Sequence, residues 1–201
     1  MKKIPWLALI LVTLAFVGAM RTSANQSAAT ISTGTPLPRI EGESLSARKV
    51  VLPDSVKGRI GLLVFSFSRE AGGPARCWNE TYARIGMTDR DAGMFGILML
   101  SDIPWLFRGL AVSGIKSGIP AALHDRTVKV FTDDDVWRTR LGVKAPQTPH
   151  LVVVDRTSRV RWLYSAPCDG AGEQQLREQL KGLVAEKTPA IDRTRLTLAM
   201  R

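Results

Sequence analysis

The chain has 201 residues, enough for one ordinary domain with extensions at its ends. Hydrophobic residues make up 45% and charged residues 23%, which supports a packed core and excludes wholesale disorder. The formal net charge is +10, and two cysteines with two histidines exclude zinc-finger arrays and disulfide-dense scaffolds.

Lys2 and Lys3 precede an uncharged run from Ile4 to Met20 that is almost purely apolar between Leu7 and Val17. Val17-Gly18-Ala19 and Thr22-Ser23-Ala24 each put small residues where a signal peptidase cuts. The uncharged run is short of the about 20 residues a spanning helix needs. Residues 1–24 read as a signal peptide or, uncleaved, as an N-terminal anchor with Arg21 just outside the apolar run. Either reading makes the chain exported: periplasmic, or anchored to the outer face of the cytoplasmic membrane, where disulfides persist. Losing residues 1–24 removes three cations and no acid, so the remainder is still strongly basic. That charge suits an anionic membrane surface or an acidic partner. No basic stripe with interleaved aromatics points to nucleic acid. Residues 25–36 are rich in Ser, Thr, Ala and Gly and read as a flexible linker. Residues 187–201 form a basic tail.

Residues 37–186 carry the periodic segments. Lys49–Leu52 is a short strand. Ile60–Phe67 is a continuous apolar run with the length of a strand buried on both faces. After a turn with two glycines, Pro74 opens a helix that continues from Ala75 to Ile85. Met94–Leu100 and Val128–Phe131 are further strands. Asp133-Asp134-Asp135 caps a short helix that Gly142 ends. Leu151–Val154 and Arg159–Tyr164 form a hairpin around Asp155–Ser158, and Glu173–Glu186 is a last amphipathic helix. This order predicts an α/β fold: a mixed sheet sandwiched between helices in three layers, ending in a β-hairpin plus helix.

The order and several motifs resemble the thioredoxin-like superfamily, specifically its exported redoxin branch, over roughly Leu37 to Val184. Leu37-Pro38-Arg39-Ile40-Glu41-Gly42 is similar to the opening segment of redoxin domains. Gly72-Gly73-Pro74-Ala75-Arg76 stands where thioredoxins have Cys-Gly-Pro-Cys and a basic residue. The Gly-Pro centre is kept, and Gly72 and Ala75 replace the two cysteines. Thr148-Pro149-His150 before the Leu151–Val154 strand is similar to the family's cis-proline loop, which implies a cis bond at Pro149. Arg159-Val160-Arg161-Trp162 followed by a small-residue loop is similar to the thioredoxin-like assembly factor of the F-type ATP synthase in mitochondria. That family also lacks the cysteine pair, and in it the fold serves assembly of a membrane subunit.

Dithiol exchange needs a thiolate at a helix N-terminus and a second thiol three residues on. Neither Gly72 nor Ala75 has sulfur. Cys77 lies two residues past Ala75, roughly 200° further round the helix, and so turns inward or sideways. Peroxiredoxins resemble one another in a Thr or Ser three residues before the reactive cysteine, where this chain has Pro74. Cys168 follows the last strand, in a loop that the thioredoxin fold places on the rim of the cis-proline. Three readings stay open for the pair: a buried Cys77 beside a free Cys168, a Cys77–Cys168 bridge, or a slow thiol enzyme using both.

The stretch from Asp102 to His124 is apolar, with Arg108 and Lys116 its only Lys or Arg residues. It reads as a core helix over one face of the sheet. The alternative is a surface for a membrane subunit or the bilayer interface, carried by Trp105, Phe107, Arg108 and Lys116. His124 and His150 are too few to argue a metal site, and no motif implies a cofactor.

These readings converge on a non-covalent polypeptide-binding module whose redox pair is gone, with an unidentified polypeptide, such as a membrane protein under assembly, as its partner. Gly72, Gly73, Pro74 and Arg76 are expected as one wall of its groove, and Thr148, Pro149 and His150 as the other. The rival is a thiol-dependent redox enzyme, a peroxidase or disulfide reductase, using Cys77 and Cys168.

Overall fold

The computed structural model describes residues 29–88 and 90–186. The signal or anchor assigned to residues 1–24 and the tail of residues 187–201 lie outside the described residues. The strands are β1 (Ile40–Ser44), β2 (Lys49–Leu52), β3 (Ile60–Ser66), β4 (Ala92–Met99), β5 (Thr127–Val130), β6 (His150–Val154) and β7 (Val160–Ser165). The helices are α1 (Gly72–Ile85), α2 (Arg108–Ser117), α3 (Asp134–Leu141) and α4 (Gly170–Ala185).

The seven strands form one sheet in the order β2-β1-β5-β4-β3-β6-β7. β3, β4 and β5 are parallel, as their helical crossovers require. β6 and β7 form the expected antiparallel hairpin, and β6 runs antiparallel to β3. β3 is buried along its whole length, which is why its sequence shows no polar alternation. Its Leu63 and Phe65 side chains join one core, in which Trp137 of α3 packs. Its Leu62 and Val64 join the other, with Trp78, Tyr82 and Ile85 of α1 and Leu176, Leu180 and Leu183 of α4. The α/β/α sandwich with a mixed sheet is therefore the fold of this chain.

Several boundaries differ from the sequence reading. β1 carries two glutamates and a glycine and has no apolar run to announce it. It forms because its alternate residues Ile40 and Ser44 turn inward while backbone pairing to β2 and β5 fixes it. Gly42 is required there: a Cβ would lie 2.6 Å from the Lys129 carbonyl oxygen. α1 starts two residues before Pro74, at Gly72. α4 starts at Gly170, because the Asp169 side chain accepts the Gly172 amide at 2.7 Å and caps the helix. In α3 the acids do sit at the N-terminus, but the Asp133 side chain makes no capping hydrogen bond.

The segment just before Leu37 is part of the fold. Ile31 is buried in the core, its amide donates to the Arg140 carbonyl at 2.9 Å, and Pro36 bridges Arg159 beside the start of β7. The reading of residues 25–36 as a free linker therefore does not fit residues 31–36. The core-helix reading of residues 102–124 is also corrected: α2 buries no residue. With α1 and α4 on one face of the sheet and α3 on the other, the stretch is left outside both cores.

Candidate functional site

β3 ends beside the first residue of β6, since Phe65 pairs with His150. His150 also pairs with Ser165, the last residue of β7. One end of the sheet therefore gathers the start of β6, the end of β7 and the turn from β3 into α1. Gly72, Gly73 and Pro74 form the first turn of α1 at that end. Arg76 reaches across to donate to the Gly118 carbonyl at 3.4 Å, linking α1 to the end of α2.

A pocket of about 400 Å³ opens at this end, lined by Leu141, Gly142, Lys144 and Ala145 on one side and by Thr148, His150 and Ser165–Pro167 on the other. His150 is buried, and its Nε2 lies 3.4 Å from the Ser165 hydroxyl. Its ring stands edge-on to Phe67 at 6.0 Å. Burial lowers the His150 pKa, because the charged imidazolium loses its hydration there. The neutral ring can exchange a hydrogen bond with Ser165 in either sense, according to its tautomer. The Arg138 guanidinium lies over the Phe67 ring at 5.1 Å and donates to the Phe67 carbonyl at 3.2 Å, fixing the turn that leads into α1.

Of the expected groove residues, Thr148 and His150 line this pocket. Pro149 is buried, and Gly72, Gly73, Pro74 and Arg76 do not line it. The cis bond expected at Pro149 is not found; among the described residues the cis peptide is Leu52–Pro53. Sequence reasoning missed the pocket's other wall, Leu141, Gly142, Lys144 and Ala145, because only the packing of α3 brings that loop to β6 and β7. It also missed Ser165, whose partner lies across the hairpin.

Cys77 and Cys168 are joined in a disulfide, with Cα atoms 6.0 Å apart. Cys77 is the sixth residue of α1, well past its first turn. It is half-buried, which corrects the reading of Cys77 as a buried unpaired residue. Cys168 directly precedes the Asp169 cap of α4 and lies 3.7 Å from the Thr81 hydroxyl. The bond thus ties the middle of α1 to the start of α4. Gly172 completes this junction: a Cβ there would meet Trp78 Cη2 and Tyr164 Oη, each at 2.7 Å.

Trp105, Leu106 and Phe107 form a short 3-10 turn leading into α2, and none of them is buried. Arg108 is not a free headgroup cation: it lies over the Phe131 ring at 4.6 Å and donates to the Ile103 carbonyl at 3.1 Å. Lys116 is exposed. Among the described residues no group of three or more His, Cys, Asp or Glu could hold a metal ion.

The Arg159–Trp162 run is occupied internally. Arg159 donates to the Gly34 carbonyl at 2.7 Å, and Arg161 pairs with Asp155 at 3.3 Å and with Glu186 at 2.5 Å. Trp162 stacks on Tyr164 at 5.0 Å.

The arrangement is that of a thioredoxin-like domain, and known structures agree. A protein assigned as a thiol:disulfide interchange protein, DsbE, from Chlorobium tepidum is similar with a TM-score of 0.57 at 16% identity, over 78% of this chain and all of that one. The pneumococcal exposed lipoprotein thioredoxin from Streptococcus pneumoniae strain TIGR4 is similar with a TM-score of 0.54 at 12% identity, over 73% of this chain and 100% of that one. BsSco, a member of the Sco family of cytochrome c oxidase assembly proteins, is similar with a TM-score of 0.56 at 12% identity, over 78% of this chain and 98% of that one. No family model matches the sequence, and no curated protein does. At these identities the likeness establishes the thioredoxin-like fold.

Proposed function

We propose that the chain is an exported, redox-degenerate thioredoxin-like module that holds an extended polypeptide without covalent exchange. One observation carries this reading. Where redoxins have their cysteines, the first turn of α1 has Gly72 and Ala75, and the chain's two cysteines are bonded to each other elsewhere. A thiolate six residues into a helix is past the amides and partial positive charge that activate a nucleophile. The pocket beside Thr148 and His150 offers apolar lining with a few polar groups, the composition that grips a peptide segment by shape and hydrogen bonds. Export is supported by the N-terminal sequence and by the disulfide, which is a bond of oxidising compartments. The polypeptide partner is a membrane protein under assembly, a role that the sequence likeness to the ATP synthase assembly factor supports.

The second reading is a thiol-dependent redox enzyme, a peroxidase or disulfide reductase. The observation in its favour is that Cys77 and Cys168 are already paired and only half-buried. Insulin reduction and peroxide consumption, measured on wild type and Cys77→Ser, separate the two. The binding module shows no cysteine-dependent turnover. It captures a reduced, carboxymethylated polypeptide, and Ala145→Trp, which fills the pocket, abolishes capture. Turnover lost in Cys77→Ser overturns the binding reading.

A further inference from the structure

The proposed binding pocket leaves one feature of the molecule without a role. Trp105, Leu106, Phe107 and Leu110 are exposed by 78%, 68%, 56% and 76%. These four large exposed apolar side chains fall within six residues, on one turn and the first turn of the helix after it, and so are concentrated in one patch of the chain, unlike singly scattered surface apolars. Neither core cluster includes them.

We propose that this patch docks on an anionic lipid bilayer, with Trp105 seated at the level of the headgroups. It does not depend on the pocket and stands whether or not a polypeptide binds there. Three observations favour lipid over a protein partner. First, residues 103–124 contain no acid, and the flanking acids are engaged: Asp102 with Arg138 at 3.5 Å, and Asp125 with Arg48. Lys116 and the nearby Arg76 then leave this side of the domain cationic, matching the +10 of the whole chain. Second, the exposed side chains offer bulk and one indole N–H but no array of polar groups to register a specific protein surface. A tryptophan beside aliphatic side chains is the composition of an interfacial anchor. Third, the uncharged N-terminal run ends at Met20, eleven residues before Ile31, the first buried residue of the domain. That stretch spans at most about 40 Å when extended, so an uncleaved N-terminus would hold the domain close to the membrane. Among the described residues no helix is long and apolar enough to cross a membrane, so the patch lies on the surface and does not span.

The test uses tryptophan fluorescence in the full chain. Trp6→Phe removes the tryptophan of the N-terminal run. Of those left, Trp78 and Trp137 are buried and Trp162 is stacked on Tyr164, so Trp105 is the reporter. The protein is reconstituted into vesicles of brominated zwitterionic and anionic phospholipids. Lipid quenching is expected, weakening as salt is raised and absent when Trp105→Phe is added. Leu106→Asp with Leu110→Asp should abolish quenching of Trp105 while the far-UV circular dichroism stays unchanged. Quenching that persists in Trp105→Phe, or no quenching in the parent, overturns the proposal. So does shielding of Trp105 from aqueous iodide that rises with protein concentration in the absence of lipid, which would assign the patch to a second copy of the chain.

Discussion

The Cys77–Cys168 bond closes a loop with a sequence separation of 91 residues. Its removal by Cys77→Ala with Cys168→Ala is therefore a perturbation of the unfolded chain more than of the folded one. On the chain-entropy account a loop of this length restricts the unfolded ensemble by about 15 cal/mol/K, or about 4–5 kcal/mol at 25 °C. Both cysteines are half-buried, and alanine keeps each Cβ, so lost packing adds less than about 1 kcal/mol. A domain of this size shifts its Tm by about 2–4 °C per kcal/mol, so the double variant should melt about 8–20 °C lower. Circular dichroism melts and urea titrations measure this directly. The urea m-value should rise as well, because the unfolded chain is released from its loop. Each single variant should lose as much as the double, since one bond is broken in every case. A double variant that melts within about 3 °C of wild type refutes the staple account. The bond would then not constrain the chain, and its half-exposed position would favour the redox reading.

Three further outcomes follow from the packing. Gly172→Ala should destabilise by about 1–2 kcal/mol, because its Cβ meets the buried Trp78. Gly182→Ala, in the same helix with open space around it, should stabilise by about 0.5–1 kcal/mol; thermal melts of the two variants should move in opposite directions. His150 takes up a proton less readily in the folded chain than in the unfolded one, so stability should fall as pH drops below about 6.5 toward its lower folded value. His150→Gln should flatten this part of the stability profile, read by melts between pH 7.5 and pH 5. Asp134 is the opposite case: burial raises its pKa, and its Oδ2 has no hydrogen-bond partner. The folded chain binds that proton more tightly, so its contribution is present in acid and is lost as pH rises through the folded value. The Tm of Asp134→Asn relative to wild type should therefore increase from pH 3 to pH 7; a constant difference would show that Asp134 titrates as it does in the unfolded chain.

The sequence alone determined the layered fold, because strands buried on both faces and helices with one apolar face leave a direct mark in residue order. The β3 run and the Leu176–Leu180–Leu183 stripe of α4 are of this kind. The absence of cysteine at the start of α1 was equally legible, since it needs only the identities of residues 72 and 75. Strand β1 was not legible, because its place in the sheet comes from pairing with β2 and β5 and not from its own composition. The pairing of Cys77 with Cys168 could be named as one alternative, but choosing it required α4 to be seen packing against α1 through Gly172. The exposed face of α2 went the other way. Apolar composition announces a need for burial but not where burial is available, and only the tertiary arrangement showed that α1, α3 and α4 had already covered both faces of the sheet. The pocket beside His150 is decided at the same level: its walls come from the α3–β6 loop, the start of β6 and the end of β7, and are joined by strand register, not by spacing along the chain.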